Sequence, residues 1–315
     1  MNTVKYSTTQ NLFHSVLRWF DSYHSEDQKI VDHDRIDWLR AIPFLLLHIA
    51  CLAVLLVGWS PTALLVAILM YAIRMFAITA FYHRYFSHKA FKTSRPIQFI
   101  FALLGASAVQ RGPLWWASHH RHHHRTSDTS EDNHSPEQSS FLWSHMGWFL
   151  CDRHFHTQHQ YIKDFVKNPE LRFIDRFDIL MPLLLAISLY VAGEALAIYA
   201  PGLETNGWQL FIWGFVISTV VLYHCTFTIN SIAHRFGQRT YPTKDNSRNN
   251  FWLALLTFGE GWHNNHHYYP GSAKQGFLWW QIDITYYLLK TMSWFGLIWD
   301  LRPVPNHVSQ AGTKS

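Results

Sequence analysis

Charge is what this sequence has least of. Lys, Arg, Asp and Glu make up 15% of its 315 residues, against about a quarter in ordinary soluble domains, which argues against a wholly water-exposed fold. Cysteine is scarce as well: Cys51, Cys151 and Cys225 stand far apart, two of them in apolar runs, which excludes a disulfide framework. The formal charge is +5, yet Lys and Arg form no dense tract, so a nucleic-acid partner is not expected and an anionic membrane face or acidic substrate fits better. The first 38 residues are polar and mixed in charge, with neither the short apolar core nor the cleavage site of a signal peptide. Internal repeats and low-complexity linkers are absent too.

What is present is apolar and aromatic: 49% hydrophobic residues, 15 of them Trp. A membrane-spanning helix needs about 20 mostly apolar residues, and four runs qualify, at about 39–59, 62–82, 179–200 and 208–228. Short turns at Ser60–Pro61 and Pro201–Gly207 join them into two helical hairpins. The turns hold none of the 26 Lys and Arg; five lie before or at the start of the first span, one, Arg74, within the second, twelve between Arg84 and Arg176, and eight after Asn230. The positive-inside bias therefore places both termini and the long segments in the cytoplasm and the turns outside. The stretch from Pro96 to Gln110 is too short to span and either dips into the membrane or packs beneath the polar domain. Leu12, Phe13, Val16, Leu17 and Phe20, and apolar residues from Phe277 to Trp299, recur at helical spacing and predict interfacial amphipathic helices. The expected architecture is an all-α integral membrane protein: an N-terminal segment (1–38) with an amphipathic helix, a main domain (39–305) of four spans under a histidine-rich helical cap, and a mobile tail (306–315).

Histidine is abundant, with 22 residues. His83 and His88 (HRYFSH) follow the second span, HHRHHHR (119–125) follows the dip, Asn230 and His234 (NSIAH) follow the fourth span, and His263, His266 and His267 (HNNHH) come later. Counting crossings puts all four groups on one side of the membrane. Residues i, i+3 and i+4 share a helical face, so each HxxHH presents three imidazoles to one point; the second group allows two registers, His119/His122/His123 or His120/His123/His124. His83 and His88, five apart, align only if the helix ends or bends between them. Imidazole suits Fe, Cu, Zn or Ni, and nine converging histidines exceed one ion's coordination, so two metals are expected.

HRYFSH, HRHHH and GEGWHNNHH resemble, in order and spacing, the three histidine boxes of the integral-membrane fatty acid desaturases, and SHMGW (144–148) with NSIAHRFG (230–237) is similar to the stearoyl-CoA type Δ9 branch and its bacterial relatives. The resemblance runs from about Leu39 to Pro305. It implies a non-haem di-iron centre on His83, His88, His120, His123, His124, His234, His263, His266 and His267, with Asn230 holding a metal-bound water and His119 and His122 off the metal. An unactivated methylene offers no acidic proton, so an oxidant made from O2 and two electrons is required, and the implied reaction forms a cis double bond. Glu260, Asp128, Glu131 and Asp132 are candidates to orient the imidazoles. The resemblance also places Gln110, Trp116 and Thr226 at the bend of an acyl tunnel. Where acyl-CoA enzymes of this type read Arg-Asp before the second box, this chain has Ser118 and His119; acyl-CoA is the expected substrate, with an acyl-lipid or acyl carrier protein as alternatives, and replacement of His119 is expected to alter substrate affinity.

The competing readings are weaker. A di-iron hydroxylase or alkane monooxygenase uses the same chemistry, but the four-residue gap in HRYFSH favours desaturation. A zinc hydrolase would need HExxH, which is absent, and a metal transporter would string its ligands along a path through the membrane. No electron-transfer domain or haem motif is visible, so a separate donor is expected: a ferredoxin, a rubredoxin, or cytochrome b5 with its reductase. The expected location is a bacterial inner membrane, or the endoplasmic reticulum in a eukaryote.

Overall fold

The computed structural model describes residues 16–24 and 35–312. Among the described residues, four helices are long and apolar enough to cross a membrane: α1 (Trp38–Val57), α2 (Pro61–Ser87), α6 (Leu180–Tyr199) and α7 (Gly207–Ser231). Between and after them come α3 (Arg95–Ala106), α4 (Pro113–Thr126), α5 (Pro169–Arg176), α8 (Phe251–Leu256), α9 (His263–Tyr268), α10 (Ile284–Trp294) and α11 (Asn306–Gly312). The four expected spans are all present, and α2 and α7 run on past their apolar cores, carrying the first box and Asn230 out of the membrane region.

Local chemistry sets the helix starts. Ser60 caps α2 by accepting from the Ala63 N–H at 3.1 Å, with Pro61 in the first turn, where its missing N–H costs nothing. Asp37 does the same for α1. The outer face of α1 exposes Leu52, Leu55 and Leu56, as expected of a lipid-facing surface. Inside the bundle, the buried Arg74 of α2 donates to Ser218, to Thr219 (2.6 Å) and to the Ser107 carbonyl (3.3 Å). A buried cation at this depth persists only where its donors are occupied, and these bonds lock α2 to α7.

The polar cap is held by an aromatic core. Phe81 of α2 stacks on Phe101 of α3 at 3.9 Å between centroids, and the Tyr82 hydroxyl donates to the Ala102 carbonyl at 3.1 Å. The Pro96 segment is thus a helix packed beside α2. Two short strands, Lys92–Thr93 and Ile298–Trp299, pair antiparallel and tie the chain after the first box to the C-terminal region.

Three expectations need correction or fall outside the description. Leu12 and Phe13 lie outside the described residues; Val16 and Leu17 sit in a helical turn whose neighbour Arg18 pairs with Asp152. The amphipathic stretch from Phe277 is helical only from Ile284, because Asp283 is its N-cap and points inward to Arg84; α10 exposes Tyr287 and Trp294 and, with Trp279, forms an aromatic rim suited to a membrane interface. The tail expected to be mobile forms α11 as far as Gly312, with Val308 buried against Tyr241 and Phe277.

Candidate metal centre

The first box sits where α2 changes its winding. From Ala77 to Ser87 the helix is π-helical, and the His88 N–H reaches the His83 carbonyl, five residues back, at 3.3 Å. A π turn puts i and i+5 on one face. The helix ends between the two histidines, as their spacing led one to expect: it widens into the π turn and stops at Ser87 with His88 as its C-cap, and their rings come within 5.0 Å.

The second box lies on α4, which has no capping side chain of its own. Asp175 supplies one from α5, accepting from the Leu114 and Trp115 N–H groups at 2.9 and 2.8 Å. Burial pushes its carboxyl above the usual range, against the Trp115 N–H and Thr157, which pull it down. Residue 112 must be glycine for this approach, since a Cβ there would stand 2.3 Å from the carboxylate. The third box is a short helix pinned from behind. Between its histidines, Asn264 binds the Tyr241 backbone (2.7 and 3.1 Å), and Asn265 donates to Gln275 and Gln281 at 2.9 and 2.8 Å. Gly261 precedes this helix against α8: a Cβ there would lie 2.1 Å from the Ala254 nitrogen. Gly261→Ala is therefore expected to destabilise the fold by about 1–3 kcal/mol, the range for overpacking, and chemical denaturation in detergent measures it.

The nine histidines form two groups. His83, His88, His120, His124 and His266 bring ligand nitrogens within 4.8 Å of one another, and His123, His234, His263 and His267 do the same. Each HxxHH is thus divided, correcting the expectation that its three imidazoles share one point. In the first group the His266 Nε2 lies 2.9 Å from the Nε2 atoms of both His83 and His124, and His88 and His120 meet at 2.9 Å. In the second, His234 and His263 meet at 3.0 Å.

Carboxylates behind the rings set which nitrogen faces inward. Nδ1 of His123 lies 3.0 Å from Asp132, that of His234 3.0 Å from Asp128, and that of His267 2.8 Å from Asp245; His83 meets Glu260 in the same way. An Nδ1–H donated to a carboxylate leaves the Nε2 lone pair pointing at the centre. The His267 Nε2 is buried and has no hydrogen-bond partner among the described residues. Burial holds His88, His120, His124, His263 and His266 well below the usual imidazole pKa, and the neighbouring imidazoles push the same way. Burial lowers His267 to about 4 in spite of Asp245. Burial works against the carboxylates, but His234 outweighs it to hold Asp128 at about 2, and His123 and His134 hold Asp132 far below the usual carboxylate range. His123 is the exception: burial opposes its charge, yet Asp132 raises it.

This donor set fits metal ions. Two nitrogens bound cis to one octahedral ion at roughly 2.1 Å stand about 3.0 Å apart, close to the spacings seen here. Converging lone pairs of neutral, buried imidazoles repel one another unless a cation lies among them. Asp245 was not foreseen: it lies in a loop 22 residues before His267, and no local pattern marks it. Gln275 was not foreseen either, and it reaches the Nδ1 atoms of His83 and His266 at 3.3 and 3.4 Å; His134, whose place after the second box points to an interfacial or supporting role, stacks on His123 at 4.3 Å. Glu131, by contrast, is exposed. Asp245→Asn is expected to weaken metal binding about 10- to 100-fold, the usual effect of losing a ligand's orienting partner, as measured by chelator competition.

His119 and His122 lie off both groups. His119 is buried against Trp115, with Nε2 donating to the His156 carbonyl (3.2 Å) and Nδ1 accepting from Asn133 (3.1 Å). Both of its ring nitrogens are thus engaged within the fold. His48 and His224 are hydrogen-bonded between α1 and α7 at 3.2 Å.

Beside the histidines lies a cavity of 380 Å³ lined mostly by apolar and aromatic side chains. Gln110, Trp116, Thr226 and Asn230 all line it. The Gln110 amide donates to the Thr226 hydroxyl at 2.8 Å, and the Trp116 ring stacks on His120 with centroids 5.0 Å apart. An apolar slot is thereby set against the metal-ligand groups.

Comparison with known proteins agrees with this arrangement. The profile of the family described as "Fatty acid desaturase" matches residues 58–295. The chain is 35% identical to the sn-1 stearoyl-lipid 9-desaturase of Anabaena variabilis over 84% of its own length and 93% of that protein. It is 35% identical to the sn-2 palmitoyl-lipid 9-desaturase of a Nostoc species (84% and 89%), and 34% identical to an acyl-CoA 5-desaturase of Anemone leveillei (70% and 65%). The chain belongs to the fatty acid desaturase family.

Proposed function

We propose that the protein inserts a cis double bond at the Δ9 position of a saturated acyl chain carried on a membrane lipid, using O2, two electrons and two iron ions. The observation that carries this reading is the pairing of two inward-facing imidazole groups with an apolar slot. Bound iron would supply the oxidant for an unactivated C–H bond. His83, His88, His120, His124 and His266 would hold one ion, and His123, His234, His263 and His267 the other, with Asn230 contributing through a water. The residues of the slot do the positioning: the Gln110–Thr226 bond fixes the wall at the bend, Trp116 presses the chain against the ligand side, and the aromatic lining keeps bulk water out. Lipid-linked substrate is favoured over acyl-CoA because Ser118 and His119 replace the expected headgroup contacts and His119 is engaged within the fold. The positive-inside bias supports a cytoplasmic site and a multi-pass protein of a bacterial inner membrane, served by a separate electron donor such as a ferredoxin, rubredoxin or cytochrome b5.

The test is expression in a desaturase-deficient host, with metal analysis of the purified protein and double-bond mapping in each lipid class. The expected result is about two Fe per chain and a new cis Δ9 monoene in intact lipids. Stoichiometric zinc in active protein, or a hydroxylated product, would overturn it.

A further inference from the structure

One end of the slot is strongly basic. Arg18, Arg40 and Arg111 line the cavity that also holds Gln110 and Trp116, and their guanidinium carbons gather around the Phe155 ring, 4.1, 3.8 and 4.3 Å from its centroid. Two of the three are neutralised: Arg18 by Asp152 at 2.5 Å and Arg111 by Asp178 at 3.2 Å. Arg40 is not. Its side chain's one hydrogen bond among the described residues is a long one, 3.4 Å to the Cys151 carbonyl, and Asp37 and Asp152 act on it only from beyond ion-pair distance. Among the described residues, one guanidinium of the three thus lacks an ion-pair partner in a partly desolvated pocket, where an unmatched ion is costly. The planar fork of arginine suits phosphate oxygens, and its attraction for aromatic faces explains the stacking on Phe155.

We propose that Arg40, supported by Arg18 and Arg111, binds the phosphodiester of a glycerophospholipid whose acyl chain fills the slot. This rests on the lipid-linked reading above and goes further, in naming the headgroup class. Arg40 lies two residues inside α1, beside the exposed Trp38, at the depth where headgroups sit. In a glycerophospholipid the phosphate is only a few bonds from the acyl ester, so charge and chain enter one continuous cavity together. In acyl-CoA the pantetheine arm carries the phosphates much farther from the acyl group.

The first experiment is binding, followed by the fluorescence of the tryptophans lining the cavity, with hexadecyl phosphate and hexadecanol as probes on the full-length protein. Hexadecyl phosphate is expected to bind at least about tenfold tighter, the scale of one charge-assisted contact; Arg40→Gln removes the difference and Arg40→Lys restores part of it. Equal binding of the two probes, or a preference that survives Arg40→Gln, overturns the site. Inorganic phosphate competing as well as hexadecyl phosphate, or an acyl-CoA gaining more from Arg40 than phosphatidylglycerol does, overturns the phospholipid assignment. Turnover supplies a separate arm: Arg40→Gln is expected to raise KM for phosphatidylglycerol, with kcat retained, and to leave a neutral galactolipid unaffected. Binding decides the headgroup site whether or not a double bond forms; absence of any double bond in every lipid tells only against desaturation.

Discussion

Replacement of His124 by alanine is expected to abolish desaturation and to lower metal content from about two ions per chain to about one, whereas His122→Ala retains both the metal and substantial activity. The two residues are two apart on α4 and chemically identical. His124 Nε2 lies 2.9 Å from His266 Nε2, and its ring is 4.6 Å from that of His88; the His122 ring packs on Tyr161 at 5.3 Å, and its side chain belongs to neither nitrogen group. Because His124 belongs to the five-histidine group alone, the four-histidine group should keep its ion. Metal analysis of the purified variants with fatty-acid profiling of the host checks this. Full metal content in His124→Ala, or loss of both ions in His122→Ala, would contradict the assignment.

The second large effect concerns stability. Arg84, itself a residue of the first box, is almost wholly buried between two carboxylates, 3.0 Å from Glu260 and 2.9 Å from Asp283, and also donates to the Ala273 carbonyl at 2.8 Å. Arg84→Met keeps an unbranched apolar stem but strands two buried carboxylates, which costs about 3–5 kcal/mol when the partner of a buried ion pair is removed. Glu260 also orients His83, so metal affinity should fall alongside stability. Arg95→Met is the control: its pair with Glu170 lies at the surface, where such pairs are worth about 0–1 kcal/mol. Chemical denaturation in detergent distinguishes the two, and equal losses would show that burial of Arg84 is not what matters.

Much of this could be read without coordinates. Lipid-spanning helices are legible because the bilayer demands a run of fixed length with few charges, so the spans and their pairing into hairpins follow from hydropathy. The boxes are legible because ligand spacing is periodic. Support residues are not: Asp245 reaches His267, and Gln275 reaches His83, across loops whose course no periodic pattern records. Asp283 reads like a surface charge on an amphipathic stretch, yet it is a buried partner of Arg84.

The sequence by itself determined four spans, the placing of the histidine boxes beyond the ends of the second and fourth spans, and the number of imidazoles, because these depend on length, charge and local periodicity. Only the tertiary structure decided how the imidazoles are shared. On a helix with 3.6 residues per turn, the i+3 and i+4 side chains diverge by about 100°, so His120 and His124 stay together while His123 turns to the other group; in the third box His263 and His267 stay together while His266 crosses over. That divergence becomes two groups only because π-helical α2 and the end of α7 bring His83, His88 and His234 to opposite sides of it.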